Sequence, residues 1–365
     1  MTQVTNNSMN KIRVAVLAGG RSAEHEVSLR SAKNVIQNLD SSRFEVVPIT
    51  IDKQGSWFLG EDVANGQSID LIQHIQGSER LFDVIFPAIH GTFCEDGTVQ
   101  GLLELADIPY VGCGVLASAI GMDKDVAKRL VTQAGFRVPP YLVVKQGQWY
   151  KNSEEFCALV DAQLTYPLFV KPANAGSSIG IAKVKQPQDL SAAIKNAFLY
   201  DTKVLVEQGI DAIELELSVL ESREEGADPI VSMAGEIKPS HEFYSYAAKY
   251  LDEHGAELII PAPISSTLQT EAQWVAKNIF NILECEGMAR VDLFLDKKTN
   301  HIYFNEINTL PGFTQISMYP KLMMASGMNY QDLLTQLVEL ALDRYARKVQ
   351  IARMYLAEEG ATSAA

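Results

Sequence analysis

Near the end of the chain three oxygen-bearing side chains, Asp292, Glu306 and Asn308, are spaced so that they could meet around a cation. Residues 290–295 and 304–308 read as two strands. Alternate residues of a strand share a face, so Arg290, Asp292 and Phe294 form one set and Phe304, Glu306 and Asn308 another. The polar run 296–300 reads as the hairpin loop between them. Pairing that is symmetric about Thr299 sets Phe294 opposite Phe304, Asp292 opposite Glu306 and Arg290 opposite Asn308. Opposed residues have Cβ atoms about 5 Å apart, and two carboxylates that close repel unless a positive charge lies between them. A hard divalent ion that also carries phosphate oxygens suits this donor set. A solvated strand face is the plain alternative.

Other positions suggest anion and ammonium binding. Lys171 ends an apolar run at 167–172 and is followed by Ala173-Asn174-Ala175-Gly176-Ser177-Ser178-Ile179-Gly180. Small residues let backbone N–H groups approach an anion, and the lysine adds a point charge. The pattern is neither GxxxxGK[ST] nor a strand-to-helix turn, which excludes a P-loop and leaves a glycine-rich hairpin lid over phosphates. Glu24 and Glu26 lie in the loop after the first strand, where open α/β sheets bind ligands, and could hold an ammonium group. Glu26 could equally favour a helix N-terminus through the macrodipole. His90 is also on a loop at a strand's carboxyl end. Residues 207–210 read as a hinge, a favoured place for a flat base.

The elements that must position these groups follow from the pattern along the chain. Residues 11–17 form a buried strand, Ser28 reads as the N-cap of a helix through residue 39, and residues 45–51 form a second strand. This βαβ opening lacks GxGxxG and an acidic residue closing its second strand, so it does not support a dinucleotide site or a dehydrogenase. Strands are expected at 81–87, 110–112, 141–144, 167–172 and 204–207, with helices at 99–106, 153–164, 188–199, 266–283 and 330–348. Residues 213–220 read as an edge or half-buried strand with Glu214, Glu216 and Ser218 on one side. Residues 239–263 show little regular pattern but carry four aromatics between Phe243 and Tyr250, which suits a docking lid.

The 365 residues are 47% hydrophobic, enough for two or three domains with substantial cores. A net charge of −14 without a dense basic block argues against nucleic acid or an anionic membrane surface as partner. Four scattered cysteines, Cys94, Cys113, Cys157 and Cys285, lack metal-ligand spacing and read as reduced packing residues of a cytoplasmic protein. The first ten residues lack a secretory apolar segment, and no apolar run is long enough to span a bilayer.

Taken in order, a lysine at a domain boundary, Lys124, then Lys171 before a glycine/serine hairpin, an acidic hinge and an Asp/Glu/Asn hairpin resemble an ATP-grasp ligase. With Gly19-Gly20-Arg21-Ser22-Ala23-Glu24-His25-Glu26-Val27-Ser28, His90-Gly91, Glu95-Asp96-Gly97-Thr98, Tyr246-Ala247-Ala248-Lys249-Tyr250 and residues 305–312, the chain closely resembles the D-alanine:D-alanine ligases from about residue 12 to 346. The resemblance implies an α/β fold, α+β in parts: an N-terminal parallel-sheet domain (11–123), then a central lid domain (124–212) and a C-terminal catalytic domain (213–353) that clamp ATP, between tails 1–10 and 354–365. It implies that Lys124, Lys171 and Ser178 contact ATP phosphates, Glu207 and Ile210 contact adenine, and Glu214 the ribose. Asp292, Glu306 and Asn308 would hold two Mg²⁺ or Mn²⁺ ions. Glu24, with Ser177 and Tyr250, would bind the first D-alanine beside His90. Lys249, Ser317 and Met318 would handle the transferred phosphate and the second substrate's carboxylate, and Arg290 with the Gly312 N–H would form the oxyanion site.

The product implied is D-alanyl-D-alanine, for peptidoglycan precursor synthesis, made by a homodimer. D-alanine:D-serine and D-alanine:D-lactate ligases share the fold, and Tyr250 after Lys249 argues against the lactate type. A non-catalytic nucleotide sensor would not need Arg290, Asp292, Glu306 and Asn308 together. The chain departs from the commonest family wording at Ser245, Ala247 and Thr92-Phe93-Cys94.

Overall fold

The structure, a computed structural model, describes residues 11–70, 80–239 and 256–352. Both expected tails lie outside these residues, as do Lys249, Tyr250 and the aromatic core of the expected lid.

Three sheets organise the fold. The first has the order β4-β3-β2-β1-β5, built from β1 (Ile12–Gly19), β2 (Phe44–Ile51), β3 (Trp57–Leu59), β4 (Gln67–Ser68) and β5 (Val84–Pro87). β1 pairs in parallel with β2 and β5, as the intervening helix α1 (His25–Asn38) requires. β1 is covered on both sides, and its residues are buried from Val14 onward, the pattern of an inner parallel strand. Two expectations change here. The strand expected at 110–112 is a single bridge from Tyr110 to Ile85. Ser28 does not cap a helix: α1 begins at His25, and the buried Ser28 hydroxyl accepts from Gly19 N–H at 2.8 Å and donates to Ala88 O at 2.7 Å.

Helices α2 (Thr98–Leu105), α3 (Val115–Met122) and α4 (Lys124–Gln133) follow. The second sheet, ordered β6-β9-β7-β8, consists of β6 (Tyr141–Lys145), β7 (Leu168–Pro172), β8 (Ala182–Val184) and β9 (Lys203–Gln208), all antiparallel to their neighbours. Helices α5 (Gln146–Gln163) and α6 (Leu190–Ala197) cover it, with Trp149, Val160 and Ile194 in its core. The glycine/serine segment connects β7 to β8, so it is the tip of a hairpin.

The third sheet, β13-β12-β10-β14-β15 with β11 beside β10, comprises β10 (Ala212–Leu220), β11 (Ile230–Val231), β12 (Gly235–Pro239), β13 (Ala256–Ile259), β14 (Met288–Asp296) and β15 (Ile302–Asn308). β10 is an inner strand between β12 and β14, not an edge. Strands β12 and β13 pair at the two ends of residues 240–255, where little regular pattern was expected. Helix α7 (Ser266–Ile282) covers the sheet, and α4 adds Ala127 and Val131 to the same core. Beyond α8 (Met318–Ala325), helix α9 (Tyr330–Lys348) turns back to the first sheet and packs Leu333, Leu337 and Val338 among Val14, Val35 and Phe86. The end of the chain thereby closes the core that its beginning opens.

Candidate active site

Two rows of side chains cross the third sheet. Register places Glu216 beside Asp292 and Asp292 opposite Glu306, while in the next row Ser218, Arg290 and Asn308 align. Three carboxylates abreast require cations. Arg290 supplies one: its Nε and Nη2 each donate to an Asp292 oxygen at 2.7 Å, and Nε lies 3.1 Å from Glu216 Oε2. Burial opposes that charge, but Asp292 and Glu216 outweigh it and hold the guanidinium protonated. Lys124 supplies another, 3.2 Å from Glu306 Oε2.

The hairpin is not symmetric throughout. Arg290 faces Asn308 and Asp292 faces Glu306, but the register then slips, and Phe294 faces Tyr303 instead of Phe304. Asn305 is the extra residue of a β-bulge. The slip moves Phe304 off the polar face, where alternation placed it, into the core with Val291, Leu293 and Ile307. The bulge leaves Asn305 within 3.4 Å of Lys171 Nζ, while Glu306 meets Lys124.

Lys124 opens α4, where the Asp123 side chain caps the helix by accepting from Val126 N–H at 3.1 Å. Its Nζ also donates to Ala175 O at 2.8 Å, which ties α4 to the glycine/serine segment. Ser177 and Ser178 both take left-handed backbone, φ 47° and 59°, an uncommon state for serine of the kind found at ligand clamps. The Ser177 hydroxyl donates to Glu24 Oε1, joining the hairpin tip to the head of α1. Lys171 lies 2.6 Å from Glu207 Oε1. Glu207 is almost wholly buried, and its carboxylate is engaged by Lys171 and Lys128. Ile210 lies in the short connection from β9 to β10, and Glu214 shares the Glu216 side of β10.

On the opposite side, Glu24 occupies the N-cap of α1 and is 5% exposed. Gly91 packs beneath it, and a Cβ there would sit 2.7 Å from Glu24 Oε2. His90 is pinned by Ser31 Oγ at 2.9 Å and Leu310 O at 3.2 Å, with Glu95 at 3.7 Å. Burial lowers the His90 pKa, yet Glu95 and Glu24 outweigh it and the net direction is upward. Asn308 Oδ1 accepts from Leu310 N–H at 3.0 Å, which shapes the turn into Gly312. Ser317 accepts from Thr314 N–H at 3.0 Å, and a Cβ on Gly312 would lie 2.8 Å from its hydroxyl. Glu24, His90 and Ser177 line one cleft of about 910 Å³ together with Lys124, Glu306, Asn308 and the group Arg290, Gly312, Ser317 and Met318. Lys171, Ser178, Glu207, Ile210, Glu214 and Asp292 are not part of that lining.

Two family models match this chain, "D-ala D-ala ligase N-terminus" over residues 13–113 and "D-ala D-ala ligase C-terminus" over residues 130–339. The chain belongs to the D-alanine–D-alanine ligase family. It is 50% identical to the D-alanine–D-alanine ligase A of Bradyrhizobium diazoefficiens, covering 95% of this chain and 99% of that protein. It is 44% identical to the corresponding protein of Escherichia coli K12, covering 93% and 98%. Among solved structures it resembles the VanG D-Ala:D-Ser ligase of Enterococcus faecalis (39% identity, TM-score 0.80, 91% and 99% covered). It also resembles the D-alanine–D-alanine ligase of Coxiella burnetii (34%, TM-score 0.81, 93% and 96%). The three sheets are thus an ATP-grasp ligase fold.

Within this ligase fold, four side chains of the site escaped the reading of the sequence. Glu216 was on the right face of its strand, but nothing local indicated that Arg290 would reach it. Glu95 stands in the sequence only as part of a loop motif, although it lines the cleft beside His90. Asn305 required the bulge. Lys128 lies four residues after Lys124, hence on the same helix face. Its spacing was visible, but its complete burial was not.

Proposed function

We propose that this protein is an ATP-dependent ligase that joins two D-alanines into D-alanyl-D-alanine, for peptidoglycan precursor synthesis. One observation carries the reading. A single cleft holds the Glu24 and Ser177 contact at one side and Arg290 with Gly312 at the other, with Lys124 between the hairpin tip and Glu306.

A carboxylate is a poor electrophile, so its oxygen first attacks the terminal phosphorus of ATP, and ADP departs with the bonding electrons. The amine of the second D-alanine then attacks the carbonyl carbon of the acyl phosphate. As the tetrahedral intermediate collapses, the carbon–oxygen bond to phosphate breaks, phosphate leaves with that electron pair, and the amine releases a proton. Glu24 holds the first ammonium, and Ser177 fixes the Glu24 carboxylate. Arg290 and the Gly312 N–H face the developing oxyanion. Ser317 and Met318, at the start of α8, receive the second carboxylate, and Tyr250 and Lys249 complete the site from residues outside those described. Lys124, Lys171 and Ser178 take the phosphates, Glu207 and Ile210 border the adenine and Glu214 the ribose. The acyl phosphate hydrolyses in open water, which gives a covering loop its purpose.

Asp292, Glu306 and Asn308 form an all-oxygen donor set that fits hard divalent ions, Mg²⁺ or Mn²⁺. In this structure Asp292 is engaged by Arg290 and Glu306 by Lys124, so cations already stand where the carboxylates need them. When bound, two such ions neutralise phosphate charge. The reading further includes a cytoplasmic homodimer divided at residues 123 and 212. No described helix is long and apolar enough to cross a membrane.

The likeness to the VanG D-Ala:D-Ser ligase, at 39% identity, keeps D-serine as a second acceptor to test. ADP release is assayed with a panel of D-amino acids, and products are identified by mass spectrometry with D-alanine, D-serine and D-lactate competing. D-alanyl-D-alanine is the expected product. Predominant D-alanyl-D-lactate or D-alanyl-D-serine would replace the dipeptide assignment, and no D-alanine-dependent ATP consumption would end the ligase reading.

A further inference from the structure

Lys128 follows Lys124 by one helical turn on α4, and its side chain is completely buried. An ammonium taken fully out of water persists only where partners compensate the lost hydration. Lys128 has two. Its Nζ lies 2.7 Å from Glu207 Oε2, and it donates to the Phe304 carbonyl at 3.3 Å. Glu207 turns its other oxygen to Lys171, 2.6 Å away, and Lys171 reaches Asn305 Oδ1 at 3.4 Å. Since Asn305 follows Phe304 directly, Lys128, Glu207, Lys171 and the bulge close a ring of contacts.

β15 is an edge strand, and α4 with the chain after it satisfies backbone groups along that edge. Besides the bond from Lys128, Phe304 N–H donates to Arg137 O at 2.8 Å. The ammonium also lies 5.8 Å from the Phe304 ring centre. The bulge is therefore held from the α4 side at both backbone groups of the residue before it. Lys128 is too buried to touch a ligand itself, so whatever it does for the site it does through these neighbours.

We infer that Lys128 is a positioning residue of the ATP site: through Glu207 it determines where the Lys171 ammonium rests, and through the Phe304 carbonyl it steadies the bulge carrying Asn305 and Glu306. The inference rests on the ATP reading proposed above. Glu207 has one oxygen for each lysine. Without Lys128 the carboxylate must turn both oxygens toward Lys171, drawing it back, or take up a proton and release it. Either response misplaces a phosphate-binding charge, and displacements of about 1 Å can cost on the order of 100-fold in reaction rate.

The test is calorimetric titration of the full chain with a non-hydrolysable ATP analogue and Mg²⁺, together with the KM for D-alanine. The parent is measured first: no binding there would defeat the ATP reading itself, independently of Lys128. Lys128→Met is expected to weaken analogue binding at least fivefold with the KM for D-alanine within twofold. Glu207→Gln and the Lys128→Met/Glu207→Gln double variant are expected to bind the analogue equally, because the lysine acts through the acid. Binding weakened by less than fivefold in a folded Lys128→Met, or a rise in the KM for D-alanine matching the loss in analogue affinity, would overturn the inference. So would a double variant at least fivefold weaker than Glu207→Gln. If Lys128→Met does not fold, the latter comparison decides, since the double variant removes both buried charges together.

Discussion

Arg290 is the residue whose replacement separates structure from chemistry most sharply. Its guanidinium holds both Asp292 oxygens at 2.7 Å and reaches Glu216 at 3.1 Å. Arg290→Ala removes the cation and leaves the buried Asp292 and half-buried Glu216 carboxylates side by side on paired strands. Parting a buried ion pair costs about 3–5 kcal/mol, which corresponds to a melting temperature lower by on the order of 10 °C. Arg290→Lys keeps the charge but gives up the fork, and with it one of two parallel charge-assisted bonds, about 1.5–3 kcal/mol. Its melting temperature should therefore fall between those of the parent and Arg290→Ala.

Turnover responds differently. Loss of an oxyanion donor typically costs about 100- to 1000-fold in kcat, and both variants should show it. Binding of the ATP analogue should stay near the parent's, because Lys124 and Lys171 are untouched. Coupled ADP-release kinetics, calorimetry and thermal melts on the three proteins measure these quantities. A well-folded Arg290→Lys with kcat within about threefold of the parent would refute the oxyanion assignment, since a donor of that kind is worth far more.

Ser177→Ala removes a hydrogen bond to the Glu24 carboxylate, a contact worth about 1.5–3 kcal/mol. Steady-state kinetics should show the first KM for D-alanine raised about 10- to 100-fold; an unchanged KM would count against the hairpin's role. Gly91→Ala would place a Cβ 2.7 Å from Glu24 Oε2 at a residue with φ +79°, so its KM for D-alanine should rise while analogue affinity holds. His90 has its pKa raised in the fold, against burial, by Glu95 and Glu24. The folded state therefore binds that proton more tightly than the unfolded chain. The resulting stability is present below the ordinary imidazole pKa and is lost as pH rises through the raised value. Glu95→Gln should lower the His90 titration midpoint by NMR, with a stability deficit wider at about pH 5.5 than at about pH 9. An unmoved midpoint would show that Glu95 does not govern the histidine.

How much of this was legible varies with the range of the interaction. The βαβ opening, the hairpin at 168–184 and the opposition of Asp292 to Glu306 follow from local signals: apolar runs, turn residues and a period of two. The bulge breaks a strict period of two: the polar pair Asn305-Glu306 marks the place where one residue is inserted, and Phe304 goes to the core. Ser28 resembled a cap since serine favours helix starts, yet Gly19, at the end of β1, and Ala88, 60 residues away, claimed its hydroxyl. Residues 213–220 could read as an edge strand because their alternation is the same whether one neighbour or two flank the strand.

The sequence by itself determined the family, the order of the elements and the candidates for the charged side chains of the cleft, since these depend on residue type and short spacing. Only the tertiary structure decided which charges became partners. Glu216 joins Arg290 because β10 and β14 are adjacent, Ser177 meets Glu24 across 153 residues of chain, and Lys128 is buried because α4 packs against β15. Burial and distant pairing depend on how sheets and helices stack, and no short window of sequence contains that information.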